Sequence, residues 1–147
     1  MPQRGSHKTL ALATAIALCL VVIGAWMWLK QQHPAREQTQ LAEKFVGLLT
    51  SHRLAEAYEL TMKTRMFLPT NEDFAMFAPS QICGTFKMVG VFPYQSNGNR
   101  LRRLMSGHEV EMPELHVQYE GDCGFRVTLR RDTDYTWKVY KFVSHAL

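Results

Sequence analysis

The sequence predicts an α+β protein, with one membrane-spanning helix followed by a small domain of three helices packed on an antiparallel sheet. Three observations carry that prediction. Leu10 to Leu29, LALATAIALCLVVIGAWMWL, contains no charged side chain. Residues 37–78 place apolar side chains at helical spacing, and after Gly84 the apolar period changes to two. Helices first and strands afterwards is the order of an α+β fold, with the helices on one face of the sheet.

At ~1.5 Å per residue the run from Leu10 to Leu29 covers the ~30 Å hydrocarbon core of a bilayer. It is longer than the ~7–15 apolar residues of a secretory leader. Its small-residue exit at Gly24-Ala25 runs into Trp26-Met27-Trp28. Leu18 before Cys19 argues against lipoprotein processing, and Cys19 reads as a small apolar filler. A buried core helix is disfavoured, because so short a chain cannot wrap a helix that is apolar on all sides. Arg4 and Lys8 precede the run, while Lys30, Arg36 and Glu37 follow it, so the positive-inside bias favours a cytoplasmic N-terminus. Trp26 and Trp28 fall where the far interface belongs. The expected layout is a cytoplasmic tail at residues 1–9, an anchor at 10–29, a linker at 30–36 containing Pro34, and an extracytoplasmic domain at 37–147.

In the domain, Glu37 to Thr50 reads as a helix with Leu41, Phe45, Leu48 and Leu49 on one face. Ser51-His52-Arg53 breaks it. Leu54, Ala57, Tyr58, Thr61 and Met62 then follow a second helical stripe. Leu68-Pro69 ends that unit. Thr70 reads as the N-cap of a third helix with Glu72 and Asp73 in its first turn, Phe74, Phe77 and Ala78 on its apolar face, and Pro79 as its stop.

Phe86 to Phe92 is rich in β-formers and bounded by Pro93. Asn97-Gly98 is expected to turn the chain, and Leu101 to Met105 to form a short strand. Leu115, Val117 and Tyr119 alternate with polar neighbours, as do Cys123, Phe125, Val127 and Leu129. Asp132-Thr133-Asp134 turns the chain into a last strand, Trp137 to Val143.

The formal charge of +4 arises mostly beside the anchor, since the first thirty residues hold Arg4, Lys8 and Lys30 and no acid. The rest is nearly balanced, with one tight basic group at Arg100, Arg102 and Arg103, so no nucleic-acid footprint is expected. Cys83 and Cys123 are the two cysteines of the domain. In an oxidising compartment they are expected to pair, the alternative being two separate buried thiols. Closing that loop would contribute roughly 4 kcal/mol in the chain-entropy picture.

The order of residues resembles the NTF2-like (cystatin-like, cone-shaped α+β) superfamily, in particular its membrane-anchored bacterial members. Arg53-Leu54-Ala55-Glu56-Ala57-Tyr58-Glu59-Leu60 is like that group's second helix, and Thr70-Asn71-Glu72-Asp73-Phe74 like the start of its third. Val127, Leu129 and Trp137-Lys138-Val139-Tyr140 are like its closing hairpin. The likeness covers about residues 38–145. It implies three helices on a curved antiparallel sheet. It does not by itself imply function, because the fold hosts enzymes, binders and scaffold domains.

Enzymes of this resemblance place an Asp, His or Tyr pair inside the cone. Here Tyr58, His52, Asp73 and Tyr140 stand singly, and no catalytic residue is assigned. A small apolar ligand in the cone would be lined by Tyr58, Met62, Phe74, Phe77, Trp137 and Tyr140, unless these simply pack as core. Met105, His108, Met112 and His116 offer thioether and imidazole groups suited to Cu(I), although Gly107 and Pro113 oppose one continuous helix. No zinc, zincin or phosphate-loop motif occurs, and no cofactor is expected.

The expected function is a non-enzymatic, membrane-anchored interaction module of a bacterial cell envelope. Its expected partners are the bilayer and other proteins of an assembly such as a secretion or conjugation system, with a homo-oligomer also compatible. The alternatives are a periplasmic copper-binding protein, and a small-molecule binder or divergent enzyme of the NTF2-like fold.

Overall fold

A computed structural model describes residues 6–63 and 68–145. Residues 1–5 of the expected tail and residues 146–147 of the expected domain lie outside that set. The described chain is α+β and forms two compact units, residues 6–33 with Gln95–Val110, and residues 34–94 with 111–145.

The first unit holds helix α1, Ser6–Lys30. Its stretch Leu10–Lys30 is long and apolar enough to cross a membrane. Large apolar side chains all around it are exposed, from Leu10 to Trp28. The Thr14 hydroxyl donates to the Leu10 carbonyl at 2.9 Å, so this polar group is satisfied within the helix, as an apolar surrounding requires.

The same unit corrects the expected turn and strand at residues 97–105. Asn97–Met105 is a helix, α5 in chain order. Ser96 caps it, its hydroxyl accepting from Asn99 N at 3.2 Å. Asn97-Gly98 is not a hairpin turn, because the end of α1 captures it. Asn97 N donates to the Gln31 carbonyl at 3.0 Å, and Asn97 Nδ2 to the Trp28 carbonyl at 3.1 Å. Gly98 fits there for lack of a side chain, since a Cβ would sit 3.0 Å from the Leu29 carbonyl oxygen. Gly107, at φ 70°, ends the helix. Its N–H donates to Leu104 O and His108 N–H to Arg103 O, the paired bonds of a Schellman terminus.

The second unit begins with α2, Arg36–Thr50, and α3, Leu54–Glu59. It continues with α4, Asn71–Phe77, and a 3-10 turn at Ala78–Gln81. Thr70 caps α4 reciprocally with Asp73, accepting from Asp73 N at 3.1 Å and donating to Asp73 Oδ2 at 2.8 Å. The second helix is shorter than its stripe of apolar residues suggests. At Leu60 the chain is captured by a sheet strand, where Val139 N donates to Leu60 O at 2.9 Å and Met62 N to Val139 O at 2.7 Å. These edge bonds take up the Leu60 carbonyl and the Met62 N–H that a continuing helix would use.

Four antiparallel strands follow in sequential order: β1 Phe86–Phe92, β2 Glu114–Gly121, β3 Gly124–Arg131 and β4 Trp137–His145. On β2 and β3 the predicted alternation holds, with Leu115, Val117, Tyr119, Phe125, Val127 and Leu129 buried. Helix α2 covers that inner face with Ala42, Phe45, Val46 and Leu49. Phe142 of β4 sits among Phe45, Phe74 and Phe77, at ring-centroid distances of 5.2, 5.5 and 5.4 Å. Cys83 and Cys123 stand at disulfide distance, with Cα atoms 6.0 Å apart, inside the range a bridge requires.

Candidate functional site

Alternation on β2 places Tyr119 in line with Leu115 and Val117, on the face that α2 covers. Its ring is accommodated there, 6.3 Å from that of Phe125. Its hydroxyl is different. The residue is 3 % exposed, and among the described residues nothing hydrogen-bonds that oxygen. Burial, with a smaller contribution from the Glu43 carboxylate, pushes the phenol's pKa well above its ordinary value, so it stays protonated.

Tyr119 lines an open cavity of ≈ 440 Å³ with Val46 and Thr50 of α2 and Phe86 and Met88 of β1, Glu43 standing at its rim. Thr50 is already committed as a donor, to the Val46 carbonyl at 3.0 Å. The space is therefore mixed: Val46, Phe86, Met88 and the Tyr119 ring give it apolar wall, Glu43 gives it one carboxylate, and the Tyr119 hydroxyl itself is buried behind the lining. That combination is what a small polar-headed ligand uses for orientation, and the volume is at the small end of ligand pockets.

The outer face of the sheet is polar. Arg130 lies 4.2 Å above the Tyr140 ring and donates to Glu114 at 2.8 Å. Beside them, Thr128 is buried although it lies on this face, with its hydroxyl 3.5 Å from His116 Nδ1. Cross-strand pairing sets Glu114 opposite Arg130, His116 opposite Thr128, and Gln118 opposite Arg126.

A second opening, of ≈ 500 Å³, is lined by Met62, Lys63, Arg131 and Lys138, with Glu59 and Asp132. Lys63 is paired to Glu59 at 3.0 Å and Arg131 to Glu111. Arg131 also lies 5.2 Å over the Trp137 ring.

The six pocket residues expected from sequence divide among these places. Tyr58, Phe74 and Phe77 belong to the aromatic core, where the Tyr58 hydroxyl donates to the Pro69 carbonyl at 2.9 Å. Met62 lines the second opening. Trp137 is buried under the sheet, while Tyr140 lies on the opposite face beneath Arg130. Of the four copper-type residues, Met105 and His108 belong to the first unit, and Met112 and His116 to the second. Met105 is 80 % exposed, and Met112 packs against the core. Among the described residues no three His, Cys, Asp or Glu side chains gather as a metal site.

In the sequence Tyr119 stands only as one of the alternating strand residues, with no site role. The available signal was a tyrosine in an inward register between aliphatic neighbours, where a hydroxyl needs a partner. Compared with family models, characterised proteins and solved structures, the chain finds no match.

Proposed function

We propose that the protein is a single-pass membrane protein whose second unit is an NTF2-like interaction module. On this reading residues 1–9 are cytoplasmic and the domain is extracytoplasmic, in a bacterial envelope. The module serves as a subunit or assembly factor of a multiprotein complex, such as a secretion or conjugation system. One observation carries the reading: α1 exposes an uninterrupted apolar surface of spanning length and leads into a folded α+β unit. The polar outer face of the sheet supports a docking role. Tyr and Arg are enriched at protein interfaces, and Arg130, Tyr140 and Arg126 lie on this face. A tether raises the module's effective concentration towards neighbouring membrane proteins.

Two measurements test this. A phosphatase fused after Leu147 is expected to be active and a cytoplasmic reporter at the same point inactive; the reverse result overturns the topology. Native mass spectrometry of the full-length chain, extracted gently from its own membrane, is expected to retain a second protein. The Arg130→Glu, Tyr140→Ala variant is expected to lose it.

The Tyr119 cavity supports a second reading, a small-molecule binder of the same fold. Its mark is a non-protein adduct in the same spectrum that persists in the Arg130→Glu, Tyr140→Ala variant and disappears with Glu43→Gln.

A further inference from the structure

Helix α5 is held at one level of α1. Besides the two bonds from Asn97, His33 N donates to Gln95 O at 2.8 Å, and Gln32 forms an antiparallel bridge with Ser96. The first turn of α5 therefore lies beside Trp28 and Leu29. Trp26 and Trp28 are exposed, and Lys30 stands 5.8 Å over the Trp26 ring. In a bilayer spanned by α1, this is the level of the aromatic and basic belt, where hydrocarbon gives way to headgroups.

The faces of α5 are sorted for that level. Gly98 contacts Leu29, and the same stripe continues through Leu101, Leu104 and Met105. Exposure along it rises from 41 % to 59 % to 80 % with distance from the contact. Arg100 and Arg102 flank the stripe and Arg103 lies on the opposite, polar face, with no acidic residue between Asn97 and Met105. Two of these guanidinium groups are held close to the helix, Arg102 Nη2 donating to Asn99 Oδ1 at 2.5 Å and Arg103 Nε to Glu109 O at 2.7 Å. An apolar stripe bordered by arginines, short and fixed at the interface, is the pattern of an interfacial helix.

We infer that α5 is a lipid-binding element that lies in the outer headgroup layer, its apolar stripe in the acyl boundary and its arginines on anionic lipid headgroups. The inference rests on the membrane-anchor reading of α1. Continuity with the anchor names the occupant. A surface pinned at the level of Trp28 faces lipid before it can face a soluble partner. Each arginine near an anionic surface favours the lipid-bound state by roughly fivefold. Leu104 and Met105 add apolar burial.

The test uses the full chain in lipid nanodiscs with nitroxide-labelled phospholipids as quenchers. A fluorophore on native Cys19 reports the anchor. A fluorophore on Met105→Cys, in a Cys19→Ser background, reports α5. Both positions are expected to be quenched, Cys19 by deep nitroxides and residue 105 by shallow ones. Quenching at 105 is expected to increase with the anionic lipid fraction. Arg100→Gln, Arg102→Gln, Arg103→Gln is expected to abolish that increase, and the corresponding triple lysine variant to keep it. Quenching at Cys19 without quenching at 105 overturns the inference and leaves the anchor standing. Loss of quenching at both overturns the anchor and the inference together. Quenching at 105 that ignores lipid charge, or that the lysine variant loses, overturns the role of the arginines on anionic headgroups.

Discussion

Phe45 of α2 and Phe142 of β4 meet edge to face, 5.2 Å between ring centroids at an interplanar angle of 63°. Both are essentially inaccessible to water. This contact joins the longest helix of the second unit to the last strand, and Phe74 and Phe77 close around the same Phe142 ring. Phe142→Ala removes the shared partner of all three. The expected cost is about 3–5 kcal/mol, read from denaturant unfolding of the full-length chain in nanodiscs. A cost near that of an exposed Phe→Ala change would mean the ring cluster is not the centre of the core.

Gly121 and Gly47 predict opposite signs for the same substitution. A Cβ on Gly121 would lie 1.8 Å from the Thr85 carbonyl oxygen, so Gly121→Ala forces β1 away from β2. The expected loss is about 1–3 kcal/mol. A Cβ on Gly47, in α2, meets nothing within 4 Å. Gly47→Ala is expected to gain about 0.5–1 kcal/mol from backbone entropy. Unfolding midpoints of the two variants decide both signs.

Cys83 and Cys123 are separated by 40 positions. Replacing both by Ser is expected to lower stability by up to about 4 kcal/mol in the chain-entropy picture. A reductant added to the unmodified protein should reproduce that loss and leave the double variant unchanged. Ellman titration should find one reactive thiol, Cys19, in the denatured unmodified chain. Three thiols would contradict an extracytoplasmic domain.

Tyr119 predicts an alkaline effect. Its folded-state pKa is raised by burial, while an unfolded tyrosine titrates near ~10. Below pH ~10 both states keep the proton, and the group adds no pH dependence. Above that, the unfolded chain loses the proton and the folded one retains it, so stability falls as pH rises. Tyr119→Phe is expected to flatten the difference between stabilities at pH 9 and pH ~11. At neutral pH the same variant should be neutral or stabilised by about 1 kcal/mol, because it removes a buried hydroxyl without a partner.

The parts legible in the sequence were those governed by local pattern. The two-residue period of Leu115–Glu120 and of Cys123–Arg130, and the cap at Thr70, depend on neighbours a few positions away. Where the reading departs from the structure, the deciding contact is distant. Asn97 bonds to Trp28, 69 positions earlier, and this turns a hairpin signal into a helix start. Thr61 and Met62 carry a helical stripe but lie against Val139, whose edge bonds end the helix at Glu59. The Tyr119 cavity was illegible for the same reason. Its walls come from α2, β1 and β2, and only folding shows that the hydroxyl of an inward tyrosine has been left without a partner.

The path of the chain has a consequence for proteolysis. Residues 95–110 lie in the middle of the sequence yet belong to the same unit as α1, so the backbone passes between the two units at 33/34, 94/95 and 110/111. A protease that cuts once, before Pro34, leaves a C-terminal fragment that still carries α5, and α5 remains hydrogen-bonded to the end of α1. With α1 as a membrane anchor, as proposed above, shedding of the domain takes a nick and the dissociation of α5 together. A nicked molecule should stay in the membrane fraction until denaturant releases it.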